Sequence, residues 1–179
     1  MKKLILLLTM SSMIAQAQFI EEEWTQVGTF VDPVAWHKES GPQIGLEITK
    51  VMLWGWASVQ VSHFEALTPV YSDLVGSGGI NFNLFNYNPV RYYAGPRLGF
   101  MWREGNGFPL VGGVMGFDWR LSSKNAETKF HIGLRGWIDY REDQKNQFYG
   151  DSDGYEPGII TNNPLLQENG AIVISISFN

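Results

Sequence analysis

The chain contains no cysteine. Disulfides, thiolate metal sites, a cysteine nucleophile and a lipid-modified cysteine are all excluded. Charged residues make up only 17% of the sequence, against about 25% in typical soluble domains. After residue 17 no apolar run approaches the ~18 residues that a membrane-spanning helix requires. Helical periodicity is nearly absent beyond that point, and no internal repeat, low-complexity tract or linker interrupts the chain. Phosphate loops, zinc motifs and catalytic triads are missing.

The sequence is instead rich in aromatics, at 14% with seven Trp, and in glycine, with 20 residues. Its start, MKKLILLLTMSSMIAQAQ, has a charged Lys2-Lys3 pair, an apolar core from Leu4 to Met13 and a small-x-small site at Ala15-Gln16-Ala17. This pattern predicts a cleaved signal peptide over residues 1–17, leaving one domain over 18–179. Without Lys2 and Lys3, 11 basic residues face 18 acidic ones, a net charge of −7. Such a chain is poorly suited to nucleic acid.

Period-2 alternation, broken by turn residues, predicts eight strands near 25–36, 42–51, 54–66, 77–86, 90–103, 109–121, 129–140 and 170–178. The connections after strands two, four and six are short. Those after one, three, five and seven are longer, the last running from Arg141 to Asn169. Short turns at one end and long loops at the other are the pattern of bacterial outer-membrane barrels. The final strand, AIVISISFN, sets Ile172, Ile174, Ile176 and Phe178 against Val173, Ser175 and Ser177. Phe130, Ile132, Leu134 and Ile138 likewise oppose His131, Arg135 and Asp139.

Alternation does not say which face is inside. A soluble lipocalin-like barrel turns the apolar face in, and a membrane barrel turns it out. The kind of polar residue decides. Solvated sheet faces favour Lys and Glu, whereas the polar face here carries Arg, Asn, Ser and Gly at mid-strand. Arg with carboxylates builds crowded hydrogen-bonded networks, and an eight-stranded barrel is just wide enough for side chains to fill. Arg97 and Arg135 facing lipid would each cost about 2–4 kcal/mol. The expectation is therefore a luminal charge network of Glu47, Arg97, Asp118, Arg120, Arg135 and Asp139. Two aromatic girdles are expected: Trp54, Trp56, Tyr87 and Trp119 at the short-turn end, and Trp36, Phe64, Trp102, Phe108 and Tyr140 at the other. Pro96 lies mid-strand, where it removes a ladder donor and predicts a bulge.

On the AQA|Q site, the polar-in face with Arg97, Arg120 and Arg135, and the closing IVISISF, the chain resembles the eight-stranded outer-membrane barrels of the OmpA/OmpX type. The resemblance implies an all-β, antiparallel, up-and-down transmembrane barrel in the outer membrane of a Gram-negative-type envelope. Such proteins typically end on an aromatic residue, and here Phe178 is followed by Asn179.

The chemistry on offer is sparse. SHFE places Ser62, His63 and Glu65 together near the end of strand three, but Ser62 and His63 fall on opposite faces, wrong for a nucleophile and its base. An interfacial histidine is the plainer reading. GDSDGYE sets Asp151, Asp153 and Glu156 around a glycine. It partly matches a calcium loop without the full ligand spacing, and a solvated Asp-Gly turn is the plainer reading. The expectation is no catalytic residue, metal or cofactor. A monomeric barrel would anchor in outer-membrane lipid and display loops for adhesion, envelope stabilisation or a surface or envelope protein partner, with Asp151, Asp153, Tyr155 and Glu156 as the candidate binding loop. The rival readings are a membrane-barrel enzyme acting on lipid A and a soluble periplasmic binder.

Overall fold

A computed structural model describes residues 22–33, 43–64, 71–83, 89–103, 105–123, 125–141 and 166–178. The signal-peptide segment, Trp36, Tyr87, Glu65 and the Asp151–Glu156 cluster lie outside them. Eight strands run in order: β1 (Trp24–Asp32), β2 (Gln43–Val51), β3 (Gly55–Phe64), β4 (Tyr71–Phe82), β5 (Val90–Arg103), β6 (Asn106–Arg120), β7 (Thr128–Arg141) and β8 (Leu166–Phe178). Each pairs antiparallel with the next, and β8 returns to β1 to close the barrel.

The registers define the barrel's size. From Leu98, pairing runs one way through Gly76, Val59, Ile48 and Val27 to Ile176. The other way it runs through Val111 and Tyr140 to Leu166. The two paths meet on β8 ten residues apart, so the shear is ten. With ~3.3 Å per residue and ~4.8 Å between strands, ten over eight strands gives a tilt of about 40° and a radius of about 8 Å. That interior holds side chains and little else.

Alternation is followed with one polarity throughout. Ile44, Leu46, Ile48, Val59, Val61, Leu98, Phe100, Val111, Met115, Ile132, Leu134, Ile172 and Ile174 face outward and are exposed. Gln43, Glu47, Thr49, Ser58, Gln60, Ser62, Arg97, Asp118, Arg135 and Asp139 face inward and are buried. A water-soluble sheet cannot leave so much apolar area bare; a bilayer solvates it.

The interior needs glycine where its largest groups cross. A Cβ at Gly45 would collide with the Phe30 ring, and one at Gly116 would sit 2.6 Å from the Tyr93 hydroxyl. Phe30 meets Trp137 edge-on at 6.3 Å, and Trp56 meets Tyr93 at 5.0 Å, forming an aromatic belt within the lumen.

Several expectations are corrected. β4 begins at Tyr71, not near 77: SDLV looked like loop between Pro69 and Gly76, but Asp73 and Val75 turn inward opposite Ser62 and Gln60. β8 begins at Leu166, not near 170, because Leu166 to Asn169 pair with Tyr140 to Trp137. Arg141 and Glu168 are therefore strand residues rather than loop. Pro96 introduces no bulge. The β4–β5 ladder skips the residues between Ser77–Arg97 and Ile80–Ala94, three on from each other in both strands, so no extra residue enters. Two girdle residues are misplaced: Trp56 is buried in the lumen, and Phe108 shares the inward parity of Leu110. Trp54, Trp119, Trp102 and Tyr140 do face outward.

Candidate functional site: the luminal network and the outer wall

The middle of the lumen is occupied by two ion pairs bridged by an amide. Arg135 donates in a fork to Glu47, from Nη1 to Oε2 at 2.5 Å and from Nη2 to Oε1 at 2.8 Å. Arg97 Nε donates to Asp139 Oδ1 at 3.1 Å. Gln60 Oε1 accepts from Arg97 Nη1 at 3.3 Å and from Arg135 Nη1 at 3.4 Å, tying the pairs together. Planar guanidinium groups suit both the bidentate pairing and the stacking seen here. Arg97 lies 4.8 Å from the centre of the Trp137 ring, while Tyr93 has Arg91 at 4.7 Å and Arg135 at 5.7 Å. The Tyr93 hydroxyl accepts from Arg135 Nε at 3.0 Å.

Asp118 does not join this group. It pairs with Arg91, nearer the short turns. Arg120, one of the expected members, is half-buried at the end of β6, and its Nε has no partner among the described residues. Four of the six expected residues thus meet at mid-barrel, one pairs apart, and one stays at the mouth. Gln60, Tyr93 and Arg91 were missed. Each lies on the polar face by parity, but the expectation weighed only carboxylates against arginines and so overlooked the amide and the phenol that connect them.

Polar groups continue toward both ends. Near the long loops, Gln43 Nε2 donates to Ser62 Oγ at 2.5 Å and to Asp73 Oδ2 at 3.0 Å, and Ser62 donates to Asp73. Near the short turns, Gln26 Nε2 donates to Ser175 Oγ at 2.5 Å, and His131 Nε2 lies 2.8 Å from Ser177 Oγ. Trp24 stacks on His131, and Lys129 meets Glu22 at 3.1 Å across the mouth. Among the described residues, buried side chains from all eight strands fill the interior.

Charge inside, hydrocarbon outside and a closed sheet decide the class. This is a closed eight-stranded β-barrel of the transmembrane type. No family model matches the chain, and no curated protein matches it. Among solved structures, the crystal structure of Neisserial surface protein A (NspA) is similar over 87% of this chain and 96% of that one, at 12% identity and a TM-score of 0.48.

On the outer wall one histidine makes a side-chain contact. His63 Nδ1 lies 3.0 Å from Ser72 Oγ, across the β3–β4 ladder. Ser72 was hidden from the sequence reading because its segment looked like loop. No third residue orients this pair among the described residues, and no group of three potential metal ligands occurs among them.

Proposed function

We propose that this protein is a non-enzymatic outer-membrane barrel of a Gram-negative-type envelope. It is exported by the signal peptide of residues 1–17, anchored in lipid, and displays its longer connections for adhesion, envelope stabilisation or binding of a protein partner. The observation that carries this reading is the inverted polarity around a plugged lumen: the barrel supplies an anchor and no path. The segment between β7 and β8, with Asp151, Asp153, Tyr155 and Glu156, is the binding element in this reading. It is long for a compact domain, and it combines acidic residues with aromatics.

Fractionation of cell envelopes, heat-dependent gel migration and protease applied to intact cells test the proposal together. The expected result is a heat-modifiable outer-membrane protein cut between Arg141 and Leu166 with its barrel intact. Recovery in the soluble periplasm, or cutting only after the periplasm is opened, overturns it.

A further inference from the structure

We propose that the short-turn mouth of the lumen is a phosphate site, in which Arg91, Arg120 and Trp24 hold one tetrahedral oxyanion beside His131. His131 is the centre of the arrangement. Arg120 is its register partner across the β6–β7 ladder, and Trp24 stacks on its ring at 6.2 Å. Arg91 pairs in register with Asp118, two residues before Arg120 on the same inward face. Diagonal neighbours of this kind lie ~7–8 Å apart in a ladder, so two guanidinium groups from adjacent strands converge on one mouth. Both, with Lys129, lie within electrostatic reach of His131.

What marks this mouth is a surplus of donors. Arg91 is 5% exposed, yet its Nε and Nη1 have no hydrogen-bond partner, and neither has Arg120 Nε nor the Trp24 indole Nε1. A buried donor left unpaired bears its full desolvation cost. The nearby carboxylates are already engaged: Asp118 accepts from Arg91 Nη2, and Glu22 accepts from Lys129. Of the charged side chains buried or half-buried here, Arg91, Arg120 and Lys129 oppose Asp118 and Glu22, a net charge of +1. At mid-barrel each guanidinium faces a carboxylate. At the mouth Arg120 faces none among the described residues. Water serves the neutral orphans of the lumen, such as Thr49 Oγ1 and Asn81 Oδ1, but it brings no charge to balance a guanidinium.

The donor set selects the ligand. Guanidinium groups take phosphate through paired N–H donors. A phosphate offers more acceptor oxygens than a carboxylate, and its tetrahedral shape suits donors arriving from β1, β5 and β6 together. Arg120, half-buried on the last residue of β6, meets solvent and marks the way in. The phosphate is either a free ion or the headgroup of a lipid at the same rim; the recognition chemistry is shared. It depends neither on which compartment this mouth faces nor on the display role proposed above.

The test uses the full mature chain refolded in octyl glucoside micelles, which carry no phosphate. Sodium phosphate replaces chloride at constant ionic strength while heteronuclear NMR follows the Trp24 indole N–H, assigned with Trp24→Phe. A saturable shift is expected, together with a rise in unfolding temperature. Arg120→Gln is expected to weaken the apparent affinity about tenfold or more, as loss of a charge-assisted hydrogen bond implies. In chloride alone that variant should unfold at no lower temperature than the wild type; a lower one would make Arg120 a structural residue and overturn the proposal. Dihexanoyl phosphatidylglycerol, titrated below its micelle-forming concentration, is the second arm. Saturation by this lipid alone assigns the site to a headgroup, saturation by phosphate alone assigns it to the free ion, and saturation by both supports the shared chemistry. Should Arg120→Gln not refold, as read by heat-dependent migration, Trp24→Phe keeps the ring, removes the donor and should reduce the phosphate-dependent rise in unfolding temperature. No saturable shift with either ligand, or equal saturation in the wild type and Arg120→Gln, overturns the proposal.

Discussion

Arg135 is the residue on which the interior depends most. Its guanidinium serves Glu47, Tyr93 and Gln60 at once, so truncating it orphans a buried carboxylate. Breaking a buried pair on one side costs about 3–5 kcal/mol, more than replacing both partners by apolar groups. In thermal or denaturant unfolding of refolded protein, Arg135→Ala is expected to lose that much, and Arg135→Leu with Glu47→Leu markedly less; additive losses would refute the coupling. Gln60→Ala should couple the two pairs: its cost, about 1–3 kcal/mol for a lost buried acceptor, should shrink when Arg97 is already alanine. Glycine 45 makes a steric counterpart. Gly45→Ala overpacks the Phe30 ring and should destabilise by about 1–3 kcal/mol, with partial recovery in Gly45→Ala with Phe30→Leu. At this scale the sequence was partly legible. Parity and residue type placed Arg97, Arg135, Glu47 and Asp139 inside, but partner choice depends on register across four strands, so Asp118 went to Arg91 and the bridging Gln60 was invisible.

At the scale of the strand, alternation was the strongest signal, and the errors fell where it was masked. β5 and β7 were readable nearly to their ends because aromatic and aliphatic residues alternate strictly with Arg, Gly and Asp. β4 was shortened because glycine and serine carry little polarity, and the beginning of β8 because Gln167, Glu168 and Asn169 show no alternation. Both stretches become strand because a longer neighbour offers unpaired backbone groups, a tertiary effect that no local pattern reports. Single cysteines check the polarity of the recovered piece. Leu74→Cys should be reached by a lipid-phase quencher and Asp73→Cys should not; the reverse would mean that β4 is out of register by one residue. Depth is tested by charge. Leu98→Arg should cost about 2–4 kcal/mol, whereas Trp102→Arg, near the long-loop edge, should cost at most about 1 kcal/mol in refolding titrations from urea. Equal costs would contradict the placement of the belt.

For the molecule as a whole, the filled lumen predicts silence in planar-bilayer recordings, without the steady conductance steps of an open pore. Stable steps from the wild-type protein would show that the network yields to water. Closure also has a consequence in time. Seven of the eight ladders join neighbours in sequence and can form as hairpins. The remaining one, β1 with β8, pairs Thr25 with Phe178 and spans just seven register pairs, against fourteen between β5 and β6. It joins opposite ends of the described chain, so its loop entropy must be met before any contact rewards it. Until Phe178 reaches Thr25 on β1, the two edge strands remain open templates for other chains. Seven register pairs between β1 and β8 therefore decide whether the open sheet becomes a barrel or an aggregate.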